Sequence, residues 1–263
     1  LTYKLGMLVT NNKLLTLTGV LLLSADNLFL DNLLRSLLDL PFTLFFVGAV
    51  YFFLLGLRQA KYLFLSNFFW GLAFSTRFFP ALAIILPLLI ILLIKIRRNF
   101  LRPYLISSLL VPLIYLVLHI SFFVSNPSLV EFLKHKKWML AWFSGSVHIF
   151  GNIWRNIFTG EYIDSTGRLV VNEHWQISIP LIVSLGFIPI YKKLHLANYP
   201  AYSVLYLVTF LYLIYVTVLT GGLQKFLMPV YPILIVLAVA SSARFYSIIR
   251  KWMKANFPKL KER

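Results

Sequence analysis

Eight runs of apolar residues constrain the fold of this chain more than any other feature of its sequence. Most approach the roughly 20 residues that a helix needs to cross the hydrocarbon core of a membrane. Of the 263 residues, 60 % are hydrophobic and 13 % are charged, against about 25 % charged in an average soluble domain. A soluble globule of this size could not bury so much apolar surface. We therefore predict an all-α, polytopic membrane protein with about eight spans, within a range of about seven to nine. The runs cover residues 14–30, 40–57, 62–76, 80–94, 104–124, 177–191, 201–220 and 226–243.

The distribution of charge predicts the topology. With the N-terminus in the cytoplasm, 17 of the 25 Lys and Arg residues fall on the cytoplasmic side with one acid, and 8 basic and 7 acidic residues fall outside. Basic cytoplasmic loops are typical of membrane proteins. Topology therefore accounts for the net charge of +17, and we expect a lipid bilayer and no nucleic acid as partner. We expect a multi-pass protein of the plasma membrane, with both ends of this chain in the cytoplasm.

The predicted domain organisation is one membrane-embedded unit over residues 1–263, with an exoplasmic insertion over 125–178 and a basic cytoplasmic tail over 244–263. Within the insertion, the spacing over 131–143 predicts an amphipathic surface helix, and residues 164–167 predict the turn of a small hairpin. Its histidines and acids could bind a divalent metal, but their spacing resembles no known site. We assign no metal ligand and no cofactor. These residues are His135, His148, His174, Glu161, Asp164 and Glu173.

A first cluster of charged residues lies between the first two runs. Asp31, Arg35 and Asp39 are spaced i, i+4, i+8, and on a helix they would share one face at the exoplasmic mouth of the spans. One interpretation is a salt-bridge ladder that anchors a helix end, at about 0.3–1 kcal/mol per pair. The other is a compact catalytic patch.

Two single cations are predicted on the same exoplasmic side. Arg77 stands between two apolar runs with no acidic residue nearby in sequence, and Lys225 follows a Gly-Gly pair directly before the last run. An arginine at the centre of a spanning helix costs about 2.5–3.5 kcal/mol, so Arg77 should occupy a turn or a wet cavity. It could snorkel to the interface, or it could bind an anion. Together the two cations suggest a phosphate site.

Three stretches resemble the GT-C type of membrane glycosyltransferases, nearest to the group of protein O-mannosyltransferases and lipid A aminoarabinose transferases. The first, Arg35-Ser-Leu-Leu-Asp39-Leu-Pro41, resembles the family's Arg-x-x-x-Asp-x-Pro start of a long helix. Gly71-Leu-Ala-Phe-Ser-Thr-Arg77-Phe-Phe-Pro80 resembles its Gly-Leu-Ala…Thr-Lys-x-Pro turn, with Arg in place of Lys. Lys225-Phe226-Leu-Met-Pro229-Val-Tyr-Pro232 resembles its Arg-Tyr-x-x-Pro-x-x-Pro helix start, with Lys for Arg and Phe for Tyr. The three occur in the family's order.

The resemblance implies an enzyme that moves a sugar from a polyprenyl-phosphate donor to a protein, lipid or glycan acceptor at the exoplasmic face. It implies that Arg77 and Lys225 bind the lipid phosphate and that Arg35 and Asp39 shape the pocket. The family's catalytic carboxylate follows the first span, and no part of this chain matches that loop. We expect this base upstream of Leu1, which is not a methionine; otherwise Asp26, Asp31 or Asp39 takes its place.

Two other classes of function remain open. A non-catalytic scaffold subunit would explain the unmatched carboxylate. A transporter or flippase of an anionic lipid would explain the lone cations, although ionisable residues inside the runs are scarce, with only His119 well within one.

Overall fold

The structure is a computed structural model that describes residues 1–27, 29–30, 39–77, 81–125, 128–144, 149–164, 166–188, 199–219 and 222–256. These residues are almost entirely helical, because a chain in hydrocarbon must satisfy its backbone hydrogen bonds internally. The helices are α1 Thr2–Thr10, α2 Lys13–Ala25, α3 Asp39–Gly56, α4 Lys61–Thr76, α5 Leu82–Arg97, α6 Leu101–Ser108, α7 Leu110–Leu118, α8 Ile120–Ser125, α9 Leu129–Ser144, α10 Asn152–Thr159, α11 Ser178–Phe187, α12 Tyr199–Leu219 and α13 Tyr231–Asn256.

The protein is an all-α helical membrane protein, as the sequence predicted. Each of the eight apolar runs contains helix, and three helices in the described part of the chain are long and apolar enough to cross a membrane. The count of eight spans stays a prediction. The three helical stretches are Asp39–Gly56, Pro200–Val218 and Tyr231–Met253.

Two of the predicted runs differ in detail from the helices observed. The first run is interrupted after α2, because Asp26 adopts an extended conformation (φ −81°, ψ 126°), and residues 27, 29 and 30 are again helical. The fifth run, 104–124, is divided among α6, α7 and α8, and Pro112 lacks the N–H that would continue the helix across Leu109. The sequence also left Thr2–Thr10 without an element, but α1 forms there and buries Leu5 against the core.

Helices α3 and α4 form a closely packed pair. A side chain at Gly48 would meet Phe69 at 2.7 Å, and one at Gly56 would meet Leu63 at 2.3 Å. The two helices run in opposite directions because residues 57–60 join them in a short turn. The start of α3 therefore lies beside the end of α4, which brings Asp39 and Arg77 to the same end of the pair.

A helix, α9, and a hairpin form where the sequence predicted them in residues 125–178. Strand β1 (Glu161–Ile163) pairs antiparallel with β2 (Leu169–Val171), and Ile163 lies opposite Leu169. Gly167 adopts φ +82° in the connecting turn, a conformation that glycine accepts without strain. The insertion therefore carries a folded helix–hairpin unit, α10 with β1 and β2.

Helix α9 docks on α7 through Lys136. The Lys136 ammonium donates a hydrogen bond to Nε2 of His119 at 3.2 Å and lies 5.0 Å from the ring centroid of Phe132. Burial lowers the pKa of Lys136. This contact attaches the amphipathic helix to the body of the protein.

Candidate functional site

The site begins with a buried ion pair between Asp39 and Arg77. Nη1 of Arg77 donates a hydrogen bond to Oδ1 of Asp39, and each side chain is only 9 % exposed. Arg77 ends α4 in an extended conformation, and its backbone N–H closes the last turn on the Ala73 carbonyl at 3.1 Å. The sequence offered Arg77 no acidic neighbour, but the tertiary structure supplies one from 38 residues earlier.

Phe226 brings the second cation into the same site. The guanidinium carbon of Arg77 lies 4.7 Å from the Phe226 ring centroid, and Nζ of Lys225 lies 5.7 Å from it. Phe226 and Lys225 belong to a short 3₁₀ helix, Gln224–Leu227, in which the ring is buried and the ammonium is exposed. Arg77 and Lys225 are therefore gathered around one aromatic ring, where an anion could meet both charges.

Tyrosines of α12 complete the surroundings of Arg77. Tyr212 lies close enough to both Arg77 and Asp39 to interact with their charges, and Tyr215 interacts with Arg77. Below them, Phe46 packs edge-on against Tyr212 with 5.3 Å between the ring centroids. The charged groups thus rest on an apolar aromatic layer, which strengthens their interactions by lowering the local dielectric constant. The sequence reasoning missed both tyrosines, since α12 shows no charged residue that would have singled them out.

A second buried carboxylate, Asp26, joins three helices. Tyr231 donates its hydroxyl hydrogen bond to Oδ2 of Asp26 at 2.7 Å, and Ser178 donates to the same oxygen at 3.0 Å. Asp26 follows α2, Ser178 begins α11 and Tyr231 begins α13, so the carboxylate ties these ends together. Asp26 was one candidate base, and its hydroxyl partners were not foreseen.

The structure brings together three of the five residues that the sequence singled out as site residues. Asp39 pairs with Arg77, and Arg77 and Lys225 both lie against the Phe226 ring. Asp31 and Arg35 lie outside the described residues.

Two acids of the insertion, Asp164 and Glu161, have partners within the insertion. Asp164 accepts hydrogen bonds from the hydroxyl of Thr166 at 2.7 Å and the backbone N–H of Arg168 at 3.0 Å, and these bonds lower its pKa. Glu161 pairs with Arg155 at 3.1 Å. Within the described part of the chain, no three His, Asp or Glu residues are grouped so that they could hold a metal ion. His148 lies outside that part.

The fold and the site define a helical membrane protein with a cationic site at one end of its helix pair. The family model for dolichyl-phosphate-mannose-protein mannosyltransferase matches residues 2–122, a stretch that includes Asp39 and Arg77 but not Lys225. The match covers a little under half of the chain, and it makes residues 2–122 similar to a family of glycosyltransferases that use dolichyl-phosphate mannose. No curated protein and no solved structure matches the chain.

Proposed function

We propose that this protein transfers a sugar from a polyprenyl-phosphate carrier to a protein, lipid or glycan acceptor at the exoplasmic face of the plasma membrane. The observation that carries the proposal is that Arg77 and Lys225 both lie against the Phe226 ring. Arg77 and its partner Asp39 belong to the stretch that the family model matches. A lipid phosphate needs cationic neutralisation at the membrane surface, and these two groups can supply it.

In the proposed reaction, the acceptor hydroxyl oxygen attacks the anomeric carbon of the donor sugar. The bond from that carbon to the phosphate oxygen breaks, and its electron pair leaves with the polyprenyl phosphate. A carboxylate base takes the proton of the hydroxyl. Charge grows on the departing phosphate, and Arg77 and Lys225 stabilise it. Loss of one such group typically costs about a hundredfold or more in rate.

The proposed roles of Asp39 and Arg77 are linked. The buried ion pair supports a holding role for Asp39, whose carboxylate accepts a hydrogen bond from the Arg77 guanidinium and so fixes its position. The base is then Asp26, Asp31 or a carboxylate that this chain does not contain. Arg35 keeps its proposed role in shaping the pocket.

The proposal is tested by sugar transfer in membranes that express the complete open reading frame, with a panel of radiolabelled polyprenyl-phosphate sugars. Transfer from one donor identifies the sugar. Lys225→Ala and Arg77→Ala should each reduce transfer by at least about tenfold, or about 1.4 kcal/mol of transition-state stabilisation. Lys225 is exposed, so its loss should not disturb folding.

Lys134→Ala is the matched control, because Lys134 is also an exposed lysine, and among the described residues its ion pair is the local one with Glu131 at 2.8 Å. It should leave transfer unchanged. Full transfer by both Lys225→Ala and Arg77→Ala would refute the phosphate site. No transfer from any donor by inserted protein would favour a scaffold subunit or a lipid transporter instead.

A further inference from the structure

The segment that carries Lys225 begins at a glycine with an unusual backbone. Gly222 adopts φ +87°, and a Cβ atom there would lie 2.5 Å from Nδ2 of Asn152 in α10. Asn152 is itself fixed, since its side chain donates to the Ile163 carbonyl at 2.7 Å and accepts from the Ile163 N–H at 2.9 Å. The start of the segment therefore lies directly against the helix–hairpin unit of the insertion.

Asn156 connects this unit to the segment on both sides of Leu223. Its Nδ2 donates to the Gly222 carbonyl at 2.8 Å, and its backbone carbonyl accepts from Nε2 of Gln224 at 3.1 Å. Its Oδ1 accepts from Asn172, which follows β2, at 3.0 Å. Asn156 is fully buried, and buried hydrogen bonds of this kind fix geometry because an unmade one costs about 1–3 kcal/mol.

The other end of the segment is held independently. Tyr231 begins α13 five residues after Phe226, and its hydroxyl donates to the buried Asp26 at 2.7 Å. Residues 222–231 are thus held at both ends by buried polar contacts, with the exposed Lys225 between them. Phe226, buried between the two ends, gives Arg77 and Lys225 their common contact.

We propose that Asn156 is a positioning residue, which holds the Gly222–Gln224 backbone so that Lys225 meets the phosphate beside Arg77. The inference rests on the proposed phosphate site and adds to it a role for the insertion. Asn156 touches neither Lys225 nor the ligand in this scheme, and it acts through Gly222 and Gln224. The helix–hairpin unit is then a support for the cationic site.

The test measures binding to the purified full-length protein in lipid nanodiscs. The probes are a short-chain polyprenyl phosphate and the uncharged polyprenol of the same length. Asn156→Leu removes the hydrogen bond to Gly222 without adding charge. Gln224→Met removes the second hydrogen bond, which the Gln224 side chain donates to the Asn156 backbone carbonyl. It is the test variant if Asn156→Leu does not insert into the membrane. Arg155→Ala is the control, because Arg155 lies on the same helix and pairs only with the exposed Glu161 among the described contacts.

We expect Asn156→Leu and Gln224→Met to weaken binding of the phosphate probe by about fivefold or more, with polyprenol binding unchanged. Arg155→Ala should bind both probes normally. Because Asn156 acts through Lys225, the double variant Asn156→Leu/Lys225→Ala should bind the phosphate no more weakly than Lys225→Ala alone.

Other results would overturn the inference in distinguishable ways. If Lys225→Ala weakens phosphate binding while Asn156→Leu and Gln224→Met do not, the phosphate site stands and the positioning role is wrong. Equal weakening of both probes would mean that Asn156 serves general stability alone. If Lys225→Ala itself leaves phosphate binding unchanged, the phosphate site fails and the positioning role fails with it.

Discussion

Replacing Asp39 or Arg77 removes one partner of a buried ion pair and leaves the other charge without compensation. Removal of one partner typically costs about 3–5 kcal/mol of unfolding free energy. Both side chains are 9 % exposed, so solvent screening gives no reason to reduce this range. We therefore expect Asp39→Ala and Arg77→Met each to lose about 3–5 kcal/mol.

The double variant Asp39→Ala/Arg77→Met leaves neither charge buried alone. We expect it to be at least as stable as either single variant, which gives a coupling energy of about 3–5 kcal/mol or more. Arg77 also loses its contact with Phe226 in both the single and the double variant, so that contribution cancels in the cycle. Equilibrium unfolding in mixed micelles, followed by tryptophan fluorescence, measures the four free energies.

The matched comparison is the exposed pair of Glu131 and Lys134, whose side chains are 48 % and 67 % exposed. The same cycle there should give a coupling of at most about 0–1 kcal/mol. Additive effects at Asp39 and Arg77, within about 0.5 kcal/mol, would refute the reasoning that the pair is a buried, mutually compensating unit.

Two further predictions concern the helix–hairpin unit. Gly160→Ala should destabilise the unit more than Gly151→Ala does, as measured by its rate of limited proteolysis. Both glycines have positive φ (+74° and +78°), but only at Gly160 would a Cβ atom meet another group, Trp175 at 2.8 Å; equal effects would contradict this. The Asp164 carboxylate has a lowered pKa, so its stabilising bonds should be present above its ordinary value of 3.8 and be lost as the pH falls below it. The protection of the Thr166 amide against hydrogen exchange, taken relative to its intrinsic exchange rate at each pH, should fall on that acidification but not in Asp164→Asn, and unchanged protection in the parent protein would show the expectation to be wrong.

Local features were predictable from the sequence because each depends on neighbouring residues. Apolar runs predict helices because, in lipid or in a protein core, no water is present to bond the backbone. The backbone N–H and C=O groups must then form hydrogen bonds within the same segment, as a helix does. The hairpin followed from the turn chemistry of Asp164 and Gly167, and the three family-like stretches pointed to Asp39, Arg77 and Lys225. Breaks within the fifth run were less predictable, because Pro112 interrupts a helix whose hydropathy continues unchanged.

The contacts that make the site were decided by the tertiary structure alone. Arg77 meets Asp39 across 38 positions, Asn156 meets Gly222 across 66, and Asp26 meets Tyr231 across 205. Hydropathy reports only that a helix should bury one surface or lie in lipid, and most of these helices are apolar on every side. Which helices become neighbours depends on the close fit of side chains such as those opposite Gly48 and Gly56, and that fit is a property of the packed chain.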